Sequence, residues 1–252
     1  MASQPLPTRR DEQWRYADLL ALEPHWSDLA GKQERITVPA GDHWTRVIVP
    51  TAAPDGVTVT DVHLTLEAGA SATLTVLVAA GRYGRIAVTV DCREGARFTL
   101  GGAIVAGGQQ TLEIVSDVRH LEPNGRSSQT VRSVLAGRAT GSVIGRVAVA
   151  RHAQKTDASQ SIRAMLLDRT ATANAKPELE IFADDVLCAH GATVGELDAA
   201  GLYYLASRGL PPAEAKRLML RAFLLDAFAA VEDDTERAEL EVAATAALEA
   251  IT

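Results

Sequence analysis

The sequence predicts a mainly β chain with an α-helical C-terminal quarter, and three observations carry that expectation. Residues 35–167 break into short segments in which β-branched residues alternate with others at period two. The turns between these segments resemble one another and recur at a near-constant spacing. From residue 198 onward the apolar residues fall at helical intervals instead. Two architectures suit the first part, a parallel β-helix and a β-sandwich, and the repeated turns favour the β-helix only slightly.

The strand segments begin with Val57–Leu66, where Val57, Val59, Leu64 and Leu66 are apolar and Thr58, Thr60 and Thr65 polar. Ser71–Val78, Arg85–Val90 and Thr111–Val115 continue the pattern. Between them stand Pro39-Ala-Gly41, Glu67-Ala-Gly-Ala70 and Glu94-Gly-Ala96, whose glycines are 28 and 26 residues apart (41 to 69, 69 to 95). A sandwich has no reason to repeat its turn chemistry at that interval, whereas stacked coils do. Gly101-Gly102 and Gly107-Gly108 are expected to be further coil turns rather than a nucleotide loop. Glu178–Phe182 reads as a strand, Asp184-Asp185 as a turn, and Val186–His190 as extended chain. In the last quarter, Leu202 and Leu205 share a helical face and Gly209 suits a left-handed C′ position. Pro211-Pro212 opens a second helix carrying Ala215, Leu218, Met219, Ala222, Phe223 and Phe228. Glu232-Asp-Asp234 precedes a third, with Leu240, Ala244 and Leu248 at i, i+4 and i+8.

Composition narrows the function. The 252 residues are 47% apolar but only 4% aromatic, which suits a narrow β-helical interior filled by Val, Ile, Leu, Ala and Thr. Twenty-five basic against 32 acidic residues give −7, and with so few aromatics nucleic-acid binding is not expected. The charge is uneven: residues 1–170 carry 19 basic and 17 acidic groups (+2), residues 171–252 carry 6 and 15 (−9). A single-sign tail is either a solvated helical face or a docking surface for a basic partner. No run of about 18 apolar residues is present, so no membrane span is expected. Residues 1–10 lack the apolar stretch of a signal peptide, so a cytoplasmic location with Cys92 and Cys188 as free thiols is expected.

Six histidines are present. His25, His43, His63, His120 and His152 have no cysteine nearby and read as structural or surface residues. His190 differs, because Cys188 and His190 at i and i+2 of an extended segment face the same side and could meet one soft or borderline metal. Two ligands do not close a site that needs about four, so any others would come from another chain. The sequence has no Gly-x-x-x-x-Gly-Lys-Ser/Thr loop, no Gly-x-Ser-x-Gly elbow and no Cys-x-x-Cys. Asp184-Asp185 is a poor catalytic pair, since adjacent strand residues face opposite ways. A β-helical polysaccharide-active enzyme would need aromatics for sugar stacking, and a hexapeptide-repeat acyltransferase a six-residue period, neither of which is present.

From Val115 onward a longer pattern emerges. Ala153-Gln-Lys-Thr-Asp-Ala-Ser-Gln160, Leu166-Leu167, Lys176-Pro-Glu-Leu-Glu-Ile181 and Asp184-Asp-Val-Leu-Cys-Ala-His-Gly-Ala-Thr-Val-Gly195 resemble the SufB/SufD family of iron–sulfur cluster assembly proteins. Leu197-Asp198, Tyr203-Tyr204-Leu205 and Ser207-Arg-Gly209 extend the likeness over about residues 115–230, and Leu6–Tyr16 resembles the family's lead-in. The wording around His190 is that of the SufD branch, since SufB typically reads Glu-His-Glu-Ala there. SufB also carries a cysteine 28 residues before that histidine, where this chain has Ile162.

The resemblance implies a right-handed parallel β-helix followed by a helical region, divided here as lead-in 1–34, β-helix 35–193 and helices 194–252. It implies no enzymatic activity and no catalytic residues. The implied role is that of a scaffold subunit pairing with SufB through the β-helix, with Tyr203, Tyr204, Arg208, Leu218 and Phe223 in the region that docks the SufC ATPase. His190 would be an imidazole ligand at the SufB interface and Cys188 a second candidate, with no cofactor held stably alone and iron or an Fe–S cluster only transient in the complex. A homodimer of the isolated chain is compatible with this, and the alternative is a purely structural partner of SufB without a ligand. Two departures stand out: Ala189 replaces the usual serine, and a longer N-terminal helical extension is absent from these residues.

Overall fold

A computed structural model describes residues 5–252; residues 1–4 of the lead-in and of the signal-peptide reading lie outside the described residues. Twelve strands follow one another: β1 Gln33–Val38, β2 His43–Ile48, β3 Val57–Leu66, β4 Ser71–Val78, β5 Tyr83–Cys92 and β6 Arg97–Ala106, then β7 Thr111–His120, β8 Arg126–Leu135, β9 Thr140–Val149, β10 Asp157–Leu166, β11 Thr172–Ile181 and β12 Leu187–Gly195. The odd strands stack as one six-stranded sheet, β1-β3-β5-β7-β9-β11, and the even strands as another, β2-β4-β6-β8-β10-β12. Adjacent strands in each sheet are parallel and in register, so each coil of two strands sits on the last. The fold is the parallel β-helix; among the described residues no strands are paired as a sandwich hairpin would be. Strands β5 and β7 run longer than their alternating segments suggested, because Tyr83 and Arg119 continue the ladder after the clean alternation ends.

The corner after each odd strand explains the repeat. Gly41, Gly69 and Gly95 adopt φ of +75°, +69° and +64°, and Asn124 and Lys155 take the same conformation at +64° and +63°. Each hands its amide to the next coil: Gly69 N–H to Glu94 O at 2.7 Å, Gly95 N–H to Pro123 O at 2.9 Å, Asn124 N–H to Gln154 O at 2.9 Å. The left-handed turn is thus repeated along the molecule, but the glycine that marks it is not.

Three clusters hold the fold. The bore is lined by Val62, Leu64, Leu66, Leu74, Val76, Ile86, Val88, Val90, Leu100, Ile114 and their stacked equivalents, and Phe98 is its one buried aromatic among the described residues. On the outer face of the odd sheet the lead-in, with its short helices α1 Leu19–Leu22 and α2 Trp26–Leu29, buries Ala17, Ala21 and Leu22 against Tyr83. Beneath it Glu113 accepts hydrogen bonds from Tyr83 Oη at 2.7 Å and Arg85 Nη1 at 3.0 Å, while the Arg85 guanidinium lies 3.8 Å from the Trp14 ring centroid.

On the outer face of the even sheet sit α4 Pro212–Leu225 and α5 Asp234–Glu249, which bury Leu220, Leu224, Leu240, Ala244 and Leu248 against Leu77, Ala103, Val105 and Val134, and α3 Ala199–Ser207 packs on α4. Asp198 and Asp233 cap α3 and α5 by accepting from first-turn amides. Arg132 on β8 reaches Asp226 at 2.9 Å through Nε and 2.5 Å through Nη2, and also binds the Ser161 carbonyl at 2.9 Å.

Gly101-Gly102 is a correction to the coil-turn expectation: both lie inside β6. A side-chain carbon on Gly101 would stand 2.0 Å from the Ala227 carbonyl oxygen, and one on Gly102 would meet Ile114 and Val131 in the bore. Gly101 is glycine because the turn after α4 presses its backbone onto the strand. Gly107-Gly108 is a turn, with Gly108 at +59°.

The close approach at Gly101 yields a prediction. Gly101→Ala should destabilise the protein by about 1–3 kcal/mol and open the helical region to protease, measured as a lower urea midpoint and faster cleavage beyond residue 226. A variant as resistant as the parent would mean the helices do not bear on β6 there.

Candidate functional site

The two ends of the β-helix are built differently. At the first coil, β1 and β2 are 6 residues each and carry charge, with Arg46 Nη1 bonded to Glu34 Oε2 at 2.6 Å. At the last coil, β11 is 10 residues and β12 is 9, and each is hydrogen-bonded on one side only, to β9 and β10. Beside those open edges Phe182 is 65% and Leu187 74% exposed, with Ile181 and Val194 also exposed. The last coil differs from the first in its longer open edges and its exposed apolar residues, although β11 also carries Lys176, Pro177, Glu178 and Glu180.

His190 and Cys188 stand on this last strand. The register places Cys188 over Ala158, His190 over Gln160, Ala192 over Ile162 and Val194 over Ala164. Those β10 residues are the buried, bore-facing set, so Cys188 and His190 face the mouth of the bore. Cys188 is half-buried and packs against the core, where burial raises its thiol pKa above the usual value. His190 is exposed because no coil covers it. Among the described residues no group of three or more His, Cys, Asp and Glu converges into a metal-binding cluster. Asp184 and Asp185 occupy the bend before β12, where Asp185 forms an ion pair with Lys155 and its amide donates to Gln154 Oε1 at 2.9 Å.

The other histidines have local partners or lie exposed. His43 Nδ1 is 2.8 Å from Ser71 Oγ, and His63 Nε2 is 2.8 Å from Asp91 Oδ2. His25 and His152 are exposed. His120 is inside the bore, with Nε2 2.9 Å from Ser127 Oγ, and Gly125 leaves room for its ring, since a side-chain carbon there would lie 2.5 Å from Nδ1.

The partner-binding candidates divide. Tyr203, 78% exposed, and Tyr204 stand out from α3, and Arg208 lies 5.3 Å from the Tyr204 ring centroid. Leu218 is exposed on α4. Phe223 is turned toward the β-helix, half-buried, its ring 5.9 Å from the Arg132 guanidinium. The acidic excess also divides: of the −9, residues 171–195 (1 basic, 4 acidic) carry −3 on the last coil and residues 196–252 (5 basic, 11 acidic) carry −6. No helix among the described residues is long and apolar enough to cross a membrane.

Two arrangements are not legible in the sequence. A ladder of polar and charged side chains crosses the odd sheet, from His63 through Asp91, Arg119, Asp117 and Arg146 to Glu180, with Arg146 2.8 Å from Asp117 and 2.9 Å from Glu180. A column of polar residues, Ser116, Gln129 and Gln160, runs inside the bore toward His190. Polar residues at inward strand positions are the signal for the second, but it is readable only once the register is known.

Comparison with known proteins follows the same outline. The profile of the family described as "SUF system FeS cluster assembly, SufBD core domain" matches residues 29–223. Similar proteins include the iron–sulfur cluster assembly protein SufD of Escherichia coli, 34% identical over 159 residues, covering 54% of this chain and 38% of that one. SufD of Bacillus subtilis is 34% identical over 121 residues, 48% and 28% of the two chains. Protein ABCI7, chloroplastic, of Arabidopsis thaliana is 39% identical over 116 residues, 46% and 24%. The aligned part is thus well under half the length of each of these relatives.

The buried ring of His120 carries a testable pH dependence. Desolvation holds its pKa down to about 4, against 6.5 when unburied. The unfolded chain therefore binds the proton first as pH falls, so stability is full above about 6.5 and declines toward pH 4, by about 2 kcal/mol between pH 7 and 5. His120→Gln, which keeps a polar group near Ser127, should flatten that decline in urea unfolding; an equally steep decline in the variant would refute the assignment.

Proposed function

Because the chain belongs to the SufBD core family of SUF iron–sulfur cluster assembly proteins, we propose that it is a SufD-like scaffold subunit whose last coil pairs with SufB and presents His190 to the cluster being built. The observation that carries this is the end of the β-helix: two long open strand edges with an inward-facing imidazole at the mouth they frame. A partner strand added to β11 and β12 would satisfy the unpaired backbone groups and cover Phe182 and Leu187. His190, as neutral imidazole, would offer one nitrogen to iron, and SufB would supply thiolate and carboxylate. Cys188 is the weaker second ligand in this reading, since its half-buried thiol would have to release its proton to solvent as the metal binds. Iron and sulfide are the cargo of the site, and no bond-making step is assigned to this chain's side chains.

The exposed tyrosines of α3 and Leu218 of α4 support docking of the SufC ATPase on the helical region. Phe223 would then act indirectly, since it faces Arg132 rather than solvent. Nucleotide-driven movement of SufC would reach the β-helix through the Arg132–Asp226 pair and the Ala227–Gly101 contact. The second reading is a purely structural partner of SufB, favoured only by the absence of a third ligand beside His190 among the described residues.

Co-expression with SufB and SufC from the same source, anaerobic purification and an absorption spectrum separate the two. His190→Ala should leave the three-protein complex intact and lower its cluster content several-fold; unchanged content would favour the structural reading. Tyr203→Ala combined with Leu218→Ala should weaken SufC co-purification while leaving thermal stability within about 0.5 kcal/mol, as for other surface changes. Undiminished SufC recovery would move the docking site elsewhere.

A further inference from the structure

The bore beneath His190 is not apolar throughout. Leu100, Gln129, Gln160 and His190 occupy one register row across β6, β8, β10 and β12. Gln160 is only 4% exposed, yet neither its Oε1 nor its Nε2 has a hydrogen-bond partner, and Gln129 Nε2 is likewise unpartnered. Ser116 Oγ donates to Gln129 Oε1 at 2.6 Å, which leaves that oxygen a second lone pair. Gly145, on the facing sheet, keeps the space open: a side-chain carbon there would lie 2.9 Å from Gln160 Nε2 and 3.4 Å from Ser116 Oγ. Buried amides without partners are uncommon, and the polar group in the next rung of this row is the imidazole of His190.

We propose that Gln160 is the positioning residue for His190: its Oε1 accepts the N–H of one ring nitrogen, which fixes the tautomer and turns the other nitrogen out of the mouth. The terminal amide needs only rotation about its broad last torsion. With Oε1 toward His190, Nε2 points down the row to the free lone pair of Gln129 Oε1, so one rotation satisfies Gln160 at both ends. Ser116, Gln129, Gln160 and His190 then form one directed chain of hydrogen bonds. Ligating histidines elsewhere are held in this way, by a carbonyl or carboxylate on the nitrogen that does not meet the metal. Closing the mouth with a partner strand would remove competing water and strengthen the chain. The inference rests on His190 being the outward ligand, but the hydrogen bond itself can be tested without any metal.

The test is long-range proton–nitrogen correlation on the full chain labelled with ¹⁵N-histidine, at a pH where the ring is neutral, with His190 assigned by its loss in His190→Ala. The parent should show one dominant His190 tautomer. Gln160→Leu, which keeps the volume and removes the carbonyl, should show the mixture of a free imidazole, and Gln160→Glu should restore the single form. An identical His190 signal in the parent and Gln160→Leu overturns the inference. In the complex with SufB and SufC, Gln160→Leu should lower cluster content several-fold and Gln160→Glu should recover it. A shifted tautomer together with normal cluster content in His190→Ala would uphold the hydrogen bond and overturn the ligand reading alone.

Discussion

Every feature of this molecule depends on the in-register parallel ladder. Each strand takes its direction, its inward residues and its corner from the strand one coil below, as when Thr99, Ser128 and Ser159 stack on one side while Leu100, Gln129 and Gln160 stack on the other. A one-residue slip would turn the whole inward set to solvent. The ladder also sets the bore's width, which is why the buried aromatics Tyr83 and Phe228 lie outside it, under the lead-in and the helices. The scarcity of aromatics is thus a property of the bore, which admits Phe98, while Tyr83 and Phe228 serve the two outer faces.

Those faces are closed by different chemistry. The odd sheet is covered by a short segment over a buried Arg85–Glu113–Tyr83 group, whose desolvation offsets much of its mutual attraction. Burial is the larger effect on Glu113 and holds its carboxyl above the usual carboxylate range, against the downward pull of the adjacent Arg85 guanidinium and the Tyr83 hydrogen bond. The even sheet is covered by two helices through an apolar interface and one two-pronged ion pair, Arg132 with Asp226. Arg132 is buried while Asp226 is half-exposed, and the same guanidinium binds Ser161 next to Gln160. The helical region is therefore tied to the strand that underlies His190, and a force on the helices has a short path to the mouth of the bore.

Much of this was legible in the residues, and the failures are instructive. Val57–Leu66 and Ser71–Val78 match β3 and β4 in extent, but the apolar face changes along each: Val57 and Val59 pack under the lead-in while Val62, Leu64 and Leu66 line the bore, and Leu74–Val78 are buried on both faces. The corner repeat faded after Gly95 because Asn124 and Lys155 adopt the same left-handed turn without being glycine, at intervals of 29 and 31 (95 to 124, 124 to 155). Conversely Gly101-Gly102 looked like a turn and is a strand, since its glycines answer to Ala227 from far along the chain and to side chains in the bore. The i, i+2 geometry of Cys188 and His190 was readable, but not that they end a column of buried amides. That fact lives in the register, which no local pattern contains.

A parallel solenoid cannot close on itself, so its last coil always leaves backbone groups unpaired and its last inward side chains uncovered. At the first coil this chain answers with short strands and charge. At the last it keeps charge on β11 but adds long edges, exposed Phe182 and Leu187, and a polar column that ends on His190. Deeper in the bore an inward position is buried, so a side chain there is oriented by its neighbours in the row. At the mouth the same position gains access without losing that orientation. The open rung therefore offers what a half-site shared between two chains needs: an edge that a second chain can extend, and an imidazole whose direction is set before the partner arrives.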